Sequence, residues 1–561
     1  MQLIECVPNI SEGRDAEVIK QITDVIELSE GVRLLDVDPG KATNRTVITF
    51  VGEPKAVIDA AFKLIKKASE LIDMSKHTGE HPRMGATDVC PLVPIANISM
   101  EETAKYAHQL GARVGEELDI PVYFYENAAK TEERRNLAVV RSGEYEGLKN
   151  KLTDPNWAPD HGPAAYDKAH TTGATAISAR DFLVAYNINL NTTSTRRANA
   201  IAFDVREKGR IAREGGVLSG KIIKDAEGND TWTPGTLKSV KAIGWFIEEY
   251  GVAQISMNLT NISITSIHEA FDEVCRAANE RGIRVTGSEL VGLVPLQAML
   301  DAGKYFLRKQ QRSTGISESE IIKIAVKSLG LDELGPFKPE ERIIEYMLNE
   351  GNDKKLVDLT LVEFADETAS ESPAPGGGSI SAYAGVLGAS LATMVANLSS
   401  HKRGWDDRWE EFSMWAEKGQ QYKNELIRLV DEDTNSFNKI MEAFRLPKES
   451  EEEKVARKKA IVEATKYAIE IPFKVMETAY QSMEVNKAMV EIGNPNSVTD
   501  AGVGALCART AVMGAFMNVK INCKDLDDSE YVDDILKRGA EIQLKAQELE
   551  QEITKITESK I

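Results

Sequence analysis

The chain changes its pattern near residue 356, and this change restricts the fold more than any other feature. Before it, strand and helix signals alternate. Beyond it, strand signals nearly vanish and long helical periodicities run over 379–398, 405–442, 449–487, 496–519 and 527–558. Successive apolar helix stripes are buried by packing helix on helix, whereas alternation calls for a sheet covered by helices. The expected fold is an α+β first half of two sheet-and-helix subdomains, joined to an all-α helical bundle. A chain of 561 residues is in any case too long for one core. The expected divisions are 1–178 and 179–328 for the subdomains, 329–355 for a connector containing Gly and Pro, and 356–561 for the bundle.

Within the first 150 residues, strands are expected at 3–8, 32–37, 46–51, 89–95 and 121–125, and helices at 17–28, 53–72, 101–118 and 132–151. This β-α-β-β-α-β order with a central hairpin suggests a sheet with helices on one face. Neither GxGxxG nor GxxxxGK[ST] is present, so a doubly wound nucleotide fold is not indicated. A second α/β unit carries strands near 182–190, 253–258 and 285–290, and an inserted hairpin at 217–237 to which no function is assigned.

A net charge of −20 argues against a nucleic-acid binder that works through a general basic field. It leaves room for an anionic small substrate, which needs only a local group of Lys or Arg. The seven His and five Cys do not cluster with ligand spacing, so no metal is expected. The scattered, odd-numbered Cys fit free thiols in a reducing cytoplasm. No basic-then-apolar leader opens the chain. The segment 372–400 has no charged residue and is long enough to cross a bilayer. Its many Ala, Gly and Ser make it a buried bundle helix rather than a membrane span. Apolar faces of such a bundle commonly pair, so a homo-oligomer through the helical half is expected.

Chemistry concentrates at 77–91, His-Thr-Gly-Glu-His-Pro-Arg-Met-Gly-Ala-Thr-Asp-Val-Cys-Pro, between an amphipathic helix and an apolar strand. Such connections are where scaffolds display reactive groups, and a His near its ordinary pKa moves protons at neutral pH. A solvated, capped turn is the plainer reading. In the second half, Leu429-Val-Asp-Glu-Asp433 places three carboxylates on one helix, either as a solvated patch or with one turned inward. Neighbouring positions point about 100° apart, so at most one or two can face a core. Leu429, Val430 and Phe437 mark the expected apolar face, Asp433 lies on the side of Phe437, and Asp431 is expected to face solvent.

These residues carry a family resemblance. Cys6-Val-Pro-Asn-Ile-Ser-Glu-Gly13, Leu34-Leu-Asp-Val-Asp-Pro-Gly40, Asn44-Arg-Thr46 and the 77–91 stretch resemble glutamate formiminotransferase. Ala374-Pro-Gly-Gly-Gly-Ser379 and the Asp433 helix resemble formiminotetrahydrofolate cyclodeaminase. Nearly the whole chain is thus similar to the bifunctional formiminotransferase-cyclodeaminase. The resemblance implies formimino transfer from N-formimino-L-glutamate to tetrahydrofolate. It also implies cyclodeamination of the 5-formimino product to 5,10-methenyltetrahydrofolate and ammonia, within histidine degradation. Tetrahydrofolate would be a co-substrate.

The family's essential His falls on His81 and its acid–base carboxylate on Asp433, while its folate-contacting segment falls on 162–173, including Gly162, Pro163 and Gly173. Asp38 or Glu80 could orient the His81 ring. Arg45 and Arg83 could pair with substrate carboxylates, which suit guanidinium forks, although Arg45 could equally be a structural ion pair. Asn44 belongs to the same motif, and His77 reads as a satisfied His. Gly376, Gly377, Gly378 and Ser379 open a helix whose amides could meet an anion, or form only a flexible entry. Lys402, Arg403, Arg509 and Lys520 are candidates for a folate tail. Two rival readings keep the transferase: one makes the helical half a methenyltetrahydrofolate cyclohydrolase, the other an inactive assembly scaffold.

Overall fold

The computed structural model describes residues 2–41, 44–79, 83–216, 219–248, 250–349 and 355–561, and only the backbone of Lys168, Asn349 and Asp525. Glu80 and His81 lie outside the described residues. The chain divides into two compact units, one formed by 1–298 with 329–349 and the other by 299–328 with 350–561.

In the first unit the strands Leu3–Cys6 and Asn9–Ile10 lie between Arg45–Gly52 and Thr87–Ala96, antiparallel to both, and Val32–Gly40 forms the edge beyond Arg45–Gly52. The sheet then turns parallel: Thr87–Ala96 pairs with Thr175–Ala179, which pairs with Val122–Glu126. The helices Ala16–Glu27, Pro54–Leu71 and Met100–Glu117 bury apolar faces in the same core, with Ile22, Ile26, Leu64, Ile65, Leu110 and Val114 packed on Ile4, Phe50 and Phe124. Their starts follow the local sequence. Asp15 accepts from Glu17 N and Val18 N, Pro54 opens the second helix, and Ser99 with Glu102 forms a reciprocal cap.

One strand of this sheet escapes the pattern. Thr175–Ala179 is a buried central strand with parallel neighbours on both sides, and its side chains other than Ile177 are small. A parallel strand covered on both faces does not alternate, so its period is invisible. The second sheet is antiparallel in the order Val240–Ile247, Val252–Leu259, Val184–Leu190, Val285–Val291. Its edge strand Val240–Ile247 was also not expected. Within the inserted segment Lys224 and Asp230 form an antiparallel bridge, and its Trp232–Thr233 strand pairs with Arg210–Ile211, which precedes the segment. The helix expected at 132–151 is broken into a 3-10 turn, Leu137–Val140 and Glu144–Thr153.

The second unit follows the sequence closely: Gly377–Ser400, Trp409–Arg445, Glu451–Ile492, Val498–Asn522 and Ser529–Glu558 form the bundle. Two of these, Gly377–Ser400 and the stretch containing Val498–Asn522, are long and apolar enough to cross a membrane. They pack on one another through fully buried small residues, among them Ala382, Ala389, Ala392, Ala505, Ala508 and Ala511. Close approach of this kind contributes dispersion contacts and apolar burial.

The expected boundary at 328 and the expected connector 329–355 need correction. Ser288 donates through N to Gly330 O and through Oγ to Leu329 O, which ties the start of that stretch to the second sheet. Residues 299–328 belong instead with the helices: Thr314 N donates to Ser413 Oγ, and Asn397 donates to Gly315 O.

Candidate functional site

The first unit contains a cavity of about 790 Å³. Arg45, Arg141, Arg180 and Lys241 contribute four cations to its wall and Glu126 and Asp181 two carboxylates, with Tyr125, Asn136 and Asn261 among the neutral lining. In a chain of net charge −20 this is a local cationic exception. Burial and the neighbouring Arg141 lower the Arg45 pKa, while Asp88 and Asp38 oppose the shift. Asp38 itself is exposed on its strand. Behind the wall, Glu5 is buried and its carboxyl is pushed up to about 7 by desolvation, with Arg180 pulling the other way.

Of the described site residues expected in this unit, only Arg45 lines the cavity. The described side chains of the 77–91 stretch find partners within the protein. His77 Nδ1 accepts from Arg83 Nε at 3.1 Å, which leaves the proton on Nε2 to donate to Asn44 O at 3.0 Å. Burial lowers the His77 pKa, with the hydrogen bond to Asn44 O opposing the shift and the Arg83 charge adding to it, and both ring nitrogens are engaged. This satisfied imidazole matches the structural reading of His77.

Asn44 and Arg83 both have partners within the protein. Asn44 is buried, its Oδ1 accepts from Gly13 N and its Nδ2 donates to Thr78 O, so its amide ties three segments together. Arg83 is 8% exposed, and its guanidinium meets Glu146 bidentately at 2.7 and 3.0 Å and Glu144 at 3.3 Å. That fork holds the protein's own carboxylates.

The 162–173 segment divides. Gly162, at φ 81, sits against Ile120 O, and Gly173, at φ 69, against Met84 O; an added Cβ would come within 2.2 Å of the carbonyl at either place. The Gly173 end adjoins the expected catalytic loop, since Ala86 N donates to Thr172 O and Ala174 N to Met84 O. Neither these glycines nor Pro163 lines the large cavity. Its other cations come from positions far apart in sequence, and no local motif announces them.

In the second unit the predicted residues do converge. Gly376, Gly377, Gly378 and Asp433 line a cavity of about 160 Å³ together with Thr434, Ser436, Phe437, Asn518 and Asn522. Asp433 Oδ2 accepts from Ser379 N at 2.9 Å and from Ser379 Oγ at 3.2 Å. Desolvation raises the Asp433 pKa, and these hydrogen bonds hold the rise back. Ser379 is fully buried, so its amide meets Asp433 and not a ligand. Gly378 lies directly against the Asp433 carboxyl.

The three neighbouring carboxylates have separate partners. Asp431, expected to face solvent, accepts from Leu356 N at 2.7 Å and is half-buried, and Glu432 accepts from the Tyr467 hydroxyl. Phe437, expected in the core, is 45% exposed at the cavity rim. Thr434 and the two Asn were not anticipated; Thr434 Oγ1 is buried without a hydrogen-bond partner among the described residues. Lys402, Arg403, Arg509 and Lys520 do not line this cavity. Lys402 and Lys520 lie over Trp405 and Phe516, and Arg509 faces Glu550. Among the described residues no group of three or more His, Cys, Asp or Glu could hold a metal ion.

Two α+β subdomains with a cationic cavity, followed by a helical unit with a carboxylate pocket, define a two-unit enzyme architecture when set beside known proteins. Residues 3–180 match the formiminotransferase domain, N-terminal subdomain; 185–349 match the formiminotransferase domain; and 360–541 match the formiminotransferase-cyclodeaminase model. The chain is 44% identical to formimidoyltransferase-cyclodeaminase of Gallus gallus over 531 residues, 94% of each chain. It is 42% identical to glutamate formimidoyltransferase of Thermoplasma acidophilum over 325 residues, covering 58% of this chain and 97% of that one. It is also 33% identical to methenyltetrahydrofolate cyclohydrolase of Methylorubrum extorquens over 202 residues, 36% of this chain and 97% of that one. The chain belongs to the formiminotransferase-cyclodeaminase family.

Proposed function

We propose that the chain transfers the formimino group from N-formimino-L-glutamate to tetrahydrofolate and then cyclodeaminates 5-formiminotetrahydrofolate to 5,10-methenyltetrahydrofolate and ammonia, as steps of histidine degradation. The observation that carries this reading is the presence, in one chain, of a cavity with four cations and a second pocket built on a buried carboxylate. Both substrates of the transfer are acids, and guanidinium forks suit their carboxylates. A cavity of about 790 Å³ is within the roughly 300–1,000 Å³ of complete ligand pockets.

In the transfer, N5 of tetrahydrofolate attacks the amidine carbon. The tetrahedral adduct loses the N5 proton, the glutamate nitrogen gains one, and the bond from carbon to that nitrogen breaks. His81 is assigned the proton transfer, a role worth roughly 10²–10⁴-fold. Arg45, with Arg141 and Lys241, is assigned the carboxylates.

In the second reaction, N10 closes on the formimino carbon and loses a proton, and the terminal nitrogen gains one and departs as ammonia. Asp433 is suited to carry that proton, because burial holds its pKa above the ordinary carboxylate range while Ser379 fixes one oxygen. The pocket of about 160 Å³ takes the reacting end of the folate, not the whole molecule.

A cyclohydrolase second half is the alternative, favoured by the 33% identical relative. The deciding experiment follows methenyltetrahydrofolate by ultraviolet absorbance, with ammonia, from formiminoglutamate and tetrahydrofolate. Methenyl product without stoichiometric ammonia would sink the cyclodeaminase assignment, and no formimino transfer would sink the whole reading.

The enzyme is proposed to be a cytoplasmic homo-oligomer. The free thiols of Cys6 and Cys90, with Sγ atoms 3.5 Å apart, support a reducing compartment. The exposed stripe of Ile380, Leu387, Met394 and Leu398 along one bundle helix supports association. Light scattering that gives a monomer, or cell fractionation that finds the chain outside the cytoplasm, would remove the respective part.

A further inference from the structure

Three ion pairs and a main-chain hydrogen bond converge on the turn 141–146 from opposite sides of Met84. Arg83 reaches Glu144 and Glu146 from one side, and Tyr145 N donates to Arg83 O at 2.8 Å. From the other side Asp88, 1% exposed, accepts from Arg141 Nη2 at 2.6 Å with Oδ2 and from Met84 N at 2.9 Å with Oδ1. The Tyr145 hydroxyl also donates to His170 O, within the segment that adjoins the same loop. One turn thus holds both the exit of the 77–91 stretch and a cation of the large cavity.

We infer that Asp88 is a positioning residue for the transferase reaction: it fixes Arg141 in the cavity wall, where Arg141 binds a substrate carboxylate, and locks that cation to the loop following His81. This deepens the proposed transfer and rests on it. Four observations support it. Asp88 is almost wholly buried, and a buried carboxylate persists only when paired. Its two oxygens serve two different segments, the loop at Met84 and the wall at Arg141. Arg141 lines the cavity, and Asp88 gives its guanidinium a fixed bearing; its Nε is buried without a hydrogen-bond partner among the described residues. Arg45 and Arg141 repel each other across the wall, and Asp88 offsets that repulsion at Arg45.

The test uses the full-length chain. Deamination of supplied 5-formiminotetrahydrofolate, measured in the same preparation, normalises the amount of enzyme, and hydrogen exchange of peptides from the first sheet checks that the mutated unit is folded. Asp88→Asn keeps shape and an oxygen for Met84 N but loses the charge that holds Arg141. Its KM for formiminoglutamate is expected to rise at least tenfold, and transferase kcat to fall. Arg141→Gln is expected to do the same, and the double variant to be no worse than the poorer single one, since both remove one link. Arg141→Lys, which keeps the charge, should recover part of the KM and less of the kcat.

A KM within twofold of wild type in Asp88→Asn, or fully additive losses, overturns the inference while leaving transfer by the wild type intact. Should Asp88→Asn fail to fold, the Arg141 series decides: Lys and Gln variants both at wild-type KM overturn the inference. A wild-type chain that transfers no formimino group refutes the underlying function instead.

Discussion

Gly378 and Asp433 stand on two different helices of the bundle, and a Cβ on Gly378 would fall 2.0 Å from Asp433 Oδ1. The carboxyl group therefore occupies the space a side chain would need, and the glycine is part of the pocket's shape. Gly378→Ala is expected to displace Asp433 and lower deamination by roughly 10²-fold, as loss of a positioned acid–base group does, while formimino transfer persists. The strain of overpacking adds about 1–3 kcal/mol of destabilisation. Ammonia release at wild-type rate from a folded Gly378→Ala enzyme would rule this out.

Asp433→Asn keeps the shape and abolishes the proton shuttle, so 5-formiminotetrahydrofolate should accumulate, with deamination falling roughly 10²–10⁴-fold. Asp431→Asn is the comparison. Its carboxyl accepts from Leu356 N, so it is expected to cost about 1 kcal/mol of stability and little catalysis. If Asp431→Asn stops ammonia release and Asp433→Asn does not, the wrong carboxylate has been chosen.

His81→Ala should abolish formimino transfer and leave deamination of supplied 5-formiminotetrahydrofolate unchanged. The expected His and Asp433 fall in separate compact units, and changes at distant sites are nearly independent. Transfer assays on the full chain check this, with near-normal transfer as the contrary result.

Glu5 gives a pH dependence. Its folded pKa, about 7, lies above the ordinary 4.5, so the fold binds its proton more tightly than the unfolded chain does. Stability from this group is complete below about pH 4.5 and is lost as pH rises through about 7, a change of about 3 kcal/mol. Glu5→Gln, always neutral, should be more protected than wild type in hydrogen exchange of peptides covering the strands at 3–6 and 87–96 at pH 8. The advantage should shrink near pH 5. An advantage that does not vary with pH would show that Glu5 titrates normally.

The helical half was nearly transparent in the sequence because its signals are local: Trp409–Arg445 and Ser529–Glu558 carry apolar stripes at a 3.6-residue period, and Gly377–Ser400 is an uncharged run of small residues. The same local logic found the strands Leu3–Cys6, Arg45–Gly52 and Thr87–Ala96. It failed at Thr175–Ala179, where burial on both faces erases alternation, and at the stretch 329–349, which reads as a linker but packs with the second sheet.

The sites show the same division. Sequence alone singled out Gly376-Gly-Gly378 and Asp433 as candidates, because the motifs that carry the family resemblance are short and local. Only the tertiary structure decided which carboxylate enters the pocket, that Ser379 holds it, and that Thr434, Asn518 and Asn522 complete the wall. It also decided that Arg83 and Asn44 bind the protein itself, and that Arg141, Arg180 and Lys241 meet Arg45 around one cavity. Those pairings join residues as much as 196 positions apart, from Arg45 to Lys241 (241 less 45). Side-chain type is written in the chain at each position, but proximity between distant positions arises only when sheets and helices bury their apolar faces together.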